Sequence, residues 1–117
     1  MKIINLVLIC TLVDRIMSAE PVFENSVMVL DESNFDETIK KYPMIVVEFY
    51  APWCPHCKAL APDWSKAANQ LLSHNPPLPM AKVDATTQPN LNKRFITYGF
   101  PTIICFTYSG TVQKEYT

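Results

Sequence analysis

The apolar positions change period several times along the chain, and each change marks an element. Met44 to Tyr50 (MIVVEFY) is nearly continuously apolar and rich in β-branched and aromatic residues, which predicts a central strand covered on both faces. Met80 to Asp84 predicts a second inner strand. Between them Leu60, Trp64, Ala68 and Leu71-Leu72 recur at helical spacing, which predicts a helix from about Cys54 to Ser73. Pro55 falls in its first turn, where a missing N–H costs little. Pro62 lies inside it, and because the apolar period continues beyond, the helix should kink there rather than end. Asn75-Pro76-Pro77-Leu78-Pro79 then reads as a rigid connector. Upstream, Val27 to Leu30 predicts a short edge strand. Asp31-Glu32-Ser33 ahead of Phe35 and Ile39 predicts a capped helix that Pro43 closes. Downstream, Gln88 to Tyr98 predicts a short helix with Leu91 and Phe95 on one side and Gly99 as its stop. Pro101 opens a strand that Ile103 to Phe106 continue, Ser109-Gly110 make a turn, and Thr111 to Tyr116 return antiparallel.

The resulting order, β, α, β, α, β, α, β, β, specifies an α/β sandwich around a mixed central sheet. The pattern stops after the last hairpin with no helix to cover it, so the chain reads as part of a longer protein. Its 117 residues with 49% hydrophobic content suit one globular domain. Only two glycines and an apolar half exclude a low-complexity or disordered chain. A formal charge of -1 without long runs of one sign argues against a nucleic-acid binder or a polybasic membrane-surface protein.

Residues 1–19 read as a secretory signal peptide: Lys2 is a short basic start, Ile3 to Val13 an apolar stretch, and Ser18-Ala19 are small. The stretch is too short for a spanning helix, which needs ~20 residues, so no stable membrane span is expected. Residues 20–117 form the domain. Passage into the secretory pathway lets thiols persist as disulfides. Cys54, Cys57 and Cys105 remain after Cys10 leaves with the leader. An odd count suggests one close pair plus one buried thiol rather than a disulfide-stapled scaffold.

The pair is Cys54-Pro55-His56-Cys57, which follows a predicted strand and opens a predicted helix. Backbone amides and the helix dipole favour an anion at Cys54. A protonated His56 ring would lower the Cys54 pKa further. Cys57, one turn in, should be more buried and act as the resolving thiol. Half of a zinc site is disfavoured, because His56, His74 and Cys105 lie at unmatched spacings, and no metal or other cofactor is expected. An inert structural disulfide is disfavoured because a tight two-residue loop at a helix start raises reactivity.

Val47-Glu48-Phe49-Tyr50-Ala51-Pro52-Trp53-Cys54-Pro55-His56-Cys57-Lys58-Ala59-Leu60-Ala61-Pro62 resembles the active-site segment of the protein disulfide isomerase family within the thioredoxin superfamily. Ala81 to Thr86 (AKVDAT) and Tyr98 to Ile103 (YGFPTI) match two further segments of that family in the same order. The resemblance spans about residues 27 to 116. It implies a thioredoxin fold and an enzyme of thiol-disulfide exchange, with Cys54 as nucleophile and Cys57 as resolving cysteine. It implies residence in the endoplasmic reticulum lumen or the secretory pathway. The implied partners are unfolded or partly folded secretory proteins, with glutathione or an upstream oxidase as redox partner. Pro55 stands where the family usually has Gly, giving a motif similar to that of bacterial periplasmic disulfide-oxidising enzymes, which favours a disulfide donor. The family carries a further helix after the last hairpin and an Arg beyond it, and this sequence contains neither.

Glu48 and Lys82 are charged residues in two predicted inner strands. Together they suggest a buried ion pair beneath Cys57, with a carboxylate able to take the proton that Cys57 loses when it attacks a mixed disulfide. By resemblance the bond before Pro101 is cis and faces the disulfide, making Phe100, Pro101 and Thr102 candidate substrate contacts. Trp53 should flank Cys54 on the exposed side. Cys105 is read as a buried small hydrophobe. The rival reading is a client-binding chaperone module using Trp53, Phe100 and the surface around Pro101; a third is a secreted thioredoxin-like reductase.

Overall fold

The computed structural model describes residues 20–95 and 98–116. The expected leader, residues 1–19, lies outside the described residues. Strands β1 (Val22–Glu24), β2 (Val27–Leu30), β3 (Met44–Tyr50), β4 (Met80–Asp84), β5 (Thr102–Thr107) and β6 (Val112–Tyr116) combine with helices α1 (Phe35–Lys41), α2 (Pro55–Leu72) and α3 (Pro89–Phe95). The strands form one mixed sheet in the order β1-β2-β4-β3-β5-β6. β2, β4 and β3 run parallel, while β1, β5 and β6 pair antiparallel with their neighbours. This is the expected α/β architecture, with β3 between β4 and β5 as its apolar run requires.

Alternation along each strand divides the core between the two faces. On one face Met28, Val47, Phe49 and Phe106 meet Phe35 and Ile39 of α1 and Leu91 of α3. Phe95 of α3 completes an aromatic knot there, 5.2 Å from the Phe35 ring and 5.2 Å from that of Phe49. Those separations fall in the range that adds attraction beyond burial. On the other face α2 lays Trp64 and Ala68 against Val27 and Met80. With α1 and α3 on one face and the long α2 on the other, parallel pairing of β3 and β4 brings their carboxyl ends to one rim. Among the described residues no helix is long and apolar enough to cross a membrane.

Several expectations are corrected. Val27–Leu30 is not an edge strand: β1 pairs outside it, through a two-residue turn in which Asn25 and Ser26 have φ of 50° and 69°. Left-handed residues at both positions match the twist of a tight hairpin, and Asn tolerates them. Asn34, not Asp31 to Ser33, precedes α1, and its side chain makes no cap. Instead the Asp31 N–H donates to Asn34 Oδ1 at 2.8 Å and the Ser33 N–H to Asp31 Oδ1 at 2.8 Å, so these residues satisfy each other within the loop. α3 is described over Pro89–Phe95, residues 96–97 lie outside the described ones, and Tyr98 is not helical. By contrast, α2 continues through Pro62, which does not end it, as its apolar period implied. In the last hairpin Gly110 (φ 88°) lies so close to α1 that a Cβ there would fall 2.6 Å from Ile39 Cγ2, which requires glycine.

Candidate active site

β3 ends at Tyr50, and the chain crosses Ala51, Pro52 and Trp53 before α2 begins at Pro55. Cys54 therefore becomes the N-cap of α2, with extended backbone at φ −77° and ψ 119°. Its sulfur does what a capping oxygen does elsewhere, accepting the Cys57 N–H at 3.3 Å. Donation by the Cys57 side chain draws the Cys54 thiol below its ordinary range; burial opposes this, the Cys57 and His56 N–H groups add to it, and the Glu48 carboxylate opposes it. His56 thus acts on the sulfur through its backbone N–H, and its side chain is exposed. Cys57 is pushed the other way, up to about 11, by burial first and by its hydrogen bond to Cys54 next. The two residues leave the same fraction of their surface exposed, 4% each. Burial nonetheless weighs more on the Cys57 thiol, as its place one turn into α2 implied, while the segment before β5 covers Cys54.

That segment is the Phe100-Pro101 turn. Its peptide bond is cis, as the resemblance implied. The Cys54 Sγ–H donates to the Phe100 carbonyl at 3.7 Å, and Phe100 packs on the Ala51, Cys54, Cys57 cluster together with Tyr50. Trp53 stands beside the pair, 66% exposed, with its ring edge-on to Phe100 at 5.8 Å. Together Trp53, Phe100 and Pro101 border Cys54. Thr102 differs: its side chain is 4% exposed, and its hydroxyl donates to the Gly99 carbonyl at 2.6 Å. It fixes the turn from within, and its side chain is turned away from anything lying on the surface.

Glu48 and Lys82 are register partners across the parallel β3–β4 pair, and alternation points both to the α2 face that carries Cys57. Glu48 is 4% exposed, and burial raises its carboxyl to about 7, with the Lys82 charge opposing. The buried ion pair expected between them does not form. The Lys82 ammonium instead bonds Glu24 Oε1 at 2.9 Å, because β1, unseen in the sequence pattern, brings a more solvated carboxylate within reach of the same side chain. Glu24 is thus the neighbour that sequence reasoning missed. The left-handed preference of Asn25 after three residues able to pair was the available signal. Cys105 is partly buried rather than fully so, and it is remote in register from Cys54, on β5 opposite Val46. Among the described residues no group of three or more His, Cys, Asp or Glu side chains is gathered as a metal site would need.

The family model described as Thioredoxin matches residues 26–117. Protein disulfide-isomerase of Datisca glomerata is 48% identical over 105 residues, covering 88% of this chain and 21% of that protein. Protein disulfide-isomerase A4 of Homo sapiens is 53% identical over 93 residues, covering 74% of this chain and 14% of that protein. The chain therefore spans about a fifth or less of the length of these relatives. The solution structure of the first thioredoxin domain of mouse protein disulfide-isomerase A4 superimposes with a TM-score of 0.76 at 40% identity, covering 84% of this chain and 69% of that one. The six-stranded mixed sheet, the two cysteines at the start of its longest helix and these similarities agree: the chain belongs to the thioredoxin family and, within it, to the thioredoxin domains of the protein disulfide-isomerase enzymes.

Proposed function

We propose that the chain is a thiol-disulfide oxidoreductase and isomerase domain that forms and rearranges disulfides in secretory client proteins through Cys54-Pro55-His56-Cys57. The observation that carries this reading is the Cys54 sulfur at the N-cap of α2, accepting the Cys57 N–H and lying against the Phe100 carbonyl before the cis Pro101. The donors at the helix start stabilise that sulfur as thiolate, the form that attacks a disulfide and the better leaving group when a disulfide is broken, while the Phe100 carbonyl accepts from the thiol form.

In the oxidised domain a client thiolate attacks Cys54 Sγ. The Cys54–Cys57 bond breaks, Cys57 leaves and is protonated, and a mixed disulfide forms. A second client thiolate then attacks the client sulfur, closing the client disulfide and expelling the Cys54 thiolate. The client loses two electrons and two protons, and the cysteine pair gains them. In the reduced domain the Cys54 thiolate attacks a wrong client disulfide. The freed client thiolate either rearranges the client or waits until Cys57 gives up its proton, attacks Cys54 Sγ and releases it. Trp53, Phe100 and Pro101 border the reacting sulfur and are the surface on which an extended client segment lies. The exposure of Trp53 also suits client holding, the feature shared with the chaperone reading.

Glu48 takes the Cys57 proton in that release. A carboxyl raised to about 7 is neutral and unable to accept below that pH and ionised above it. The release rate therefore rises with pH through about 7 and levels off. In Glu48→Gln this limb disappears and release at pH about 7.5 slows on the order of 10²-fold, rising again only as Cys57 itself approaches its own value of about 11. Single-turnover release of a mixed disulfide across pH checks both features.

The domain acts in the endoplasmic reticulum lumen or elsewhere in the secretory pathway, with residues 1–19 as its leader and glutathione or an upstream oxidase restoring its disulfide. Pro55 and the lowered pKa of Cys54 support a donor of disulfides. Alkylation and mass spectrometry of the pair across glutathione buffers test this. A pair largely reduced at about −180 to −210 mV, the poise of that compartment, is the expected result. A pair still oxidised there would instead mark a reductase or a structural disulfide.

A further inference from the structure

Lys82 lies between two carboxylates. On β3 its register partner is Glu48. On its other side β2 places Val29 in register, and β1 beyond it carries Glu24 on the same face. The ammonium has gone to Glu24, at 2.9 Å, and sits 5.9 Å from the centroid of the Tyr50 ring. Its side chain is 22% exposed and that of Glu24 is 62% exposed, so this pair is partly solvated whereas Glu48 is buried.

We infer that Glu24 is a positioning residue for the thiol chemistry: by drawing the Lys82 ammonium toward β1 it keeps that cation from closing on Glu48, and so sets how readily Glu48 takes the Cys57 proton. This rests on the reading of Glu48 as proton acceptor. A lysine released from Glu24 has a four-carbon stem and a compact charge, and it can swing toward its register partner Glu48. Glu48 would then be held ionised over a wider pH range but would be a weaker acceptor. The other groups that face Glu48 are Cys54 and Cys57 from α2 and Tyr50 on its own strand. Its β5 register partner is Ile103, which does not titrate. Asp84 and Glu24 act on Tyr50, and the Asp84 carboxylate already accepts the Thr86 N–H at 3.0 Å. Lys82 is thus the cation that acts on Glu48, and Glu24 is the side chain that holds it.

The test is the titration midpoint of the Glu48 carboxyl carbon, followed by carbon-13 NMR in the reduced full chain, for Glu24→Gln, Lys82→Met and the double variant. Glu24→Gln should lower the midpoint by about half a pH unit, the size a partly solvated ion pair can supply, and should move the acid limb of mixed-disulfide release by the same amount. Lys82→Met should raise the midpoint. In the Lys82→Met background Glu24→Gln should have no further effect, which separates action through the lysine from the direct loss of a negative charge. An unchanged midpoint in Glu24→Gln, or the same fall with Lys82 absent, overturns the inference. Normal release in Glu48→Gln would overturn the underlying reading of Glu48. The midpoints are measured without turnover, so the two failures are distinguishable.

Discussion

Cys54→Ser is expected to lower both disulfide formation and disulfide rearrangement at least about 10³-fold, to the level of the glutathione buffer alone. The substitution changes one atom, yet it removes the thiol placed to meet a client sulfur. Its sulfur is the acceptor at the α2 N-cap and lies against the Phe100 carbonyl. A serine oxygen can take over the cap, so the fold and the α2 start survive. It cannot ionise near neutral pH or form an exchangeable bond to a client sulfur. Refolding of a reduced, multi-disulfide client, followed by the yield of active product, reads the loss. Far-UV circular dichroism on the same sample confirms that structure is retained. Activity kept at more than a few per cent would place the chemistry elsewhere.

Cys57→Ala should act differently. Attack by Cys54 on a client disulfide persists, because the His56 and residue 57 N–H groups still face the sulfur, although the side-chain donation that contributes most to the low Cys54 value is lost. What disappears is the release step. A thiol held one turn along the helix attacks with a high effective concentration, and replacing it by thiols from solution slows release on the order of 10³-fold or more. Mixed disulfides should therefore accumulate in Cys57→Ala and be absent from Cys54→Ser and from the double variant. A non-reducing gel of cells or of a defined client mixture separates these outcomes. Absence of trapped species in Cys57→Ala would mean that Cys57 does not resolve the intermediate.

The parts of this site that the sequence makes legible are those set by local pattern. The bounds of β3 and β4 follow from apolar runs flanked by polar residues, and the start of α2 from Pro55 after Trp53-Cys54. The resemblance in YGFPTI placed the Phe100-Pro101 turn against the cysteines, a contact between residues 46 positions apart that no periodicity reports. β1 stayed hidden because all three of its residues are exposed and so carry no alternation. The partner of Lys82 was misread for the same reason. Neighbouring strands fix which residues share a row, but a flexible ammonium chooses between carboxylates by their desolvation, and the better-solvated Glu24 lay on the strand that was missed. The low exposure of Cys54 likewise comes from a distant loop, whereas position along a helix speaks only to local exposure.

The central claim is that Cys54 is the sulfur that meets the client. The most direct measurement is peptide mapping by mass spectrometry of the mixed disulfide trapped by Cys57→Ala with a client of known disulfides. The account predicts one cross-linked species, joining the client cysteine to the peptide that contains Cys54. A client sulfur found on Cys105, or distributed over both remaining thiols, would contradict it.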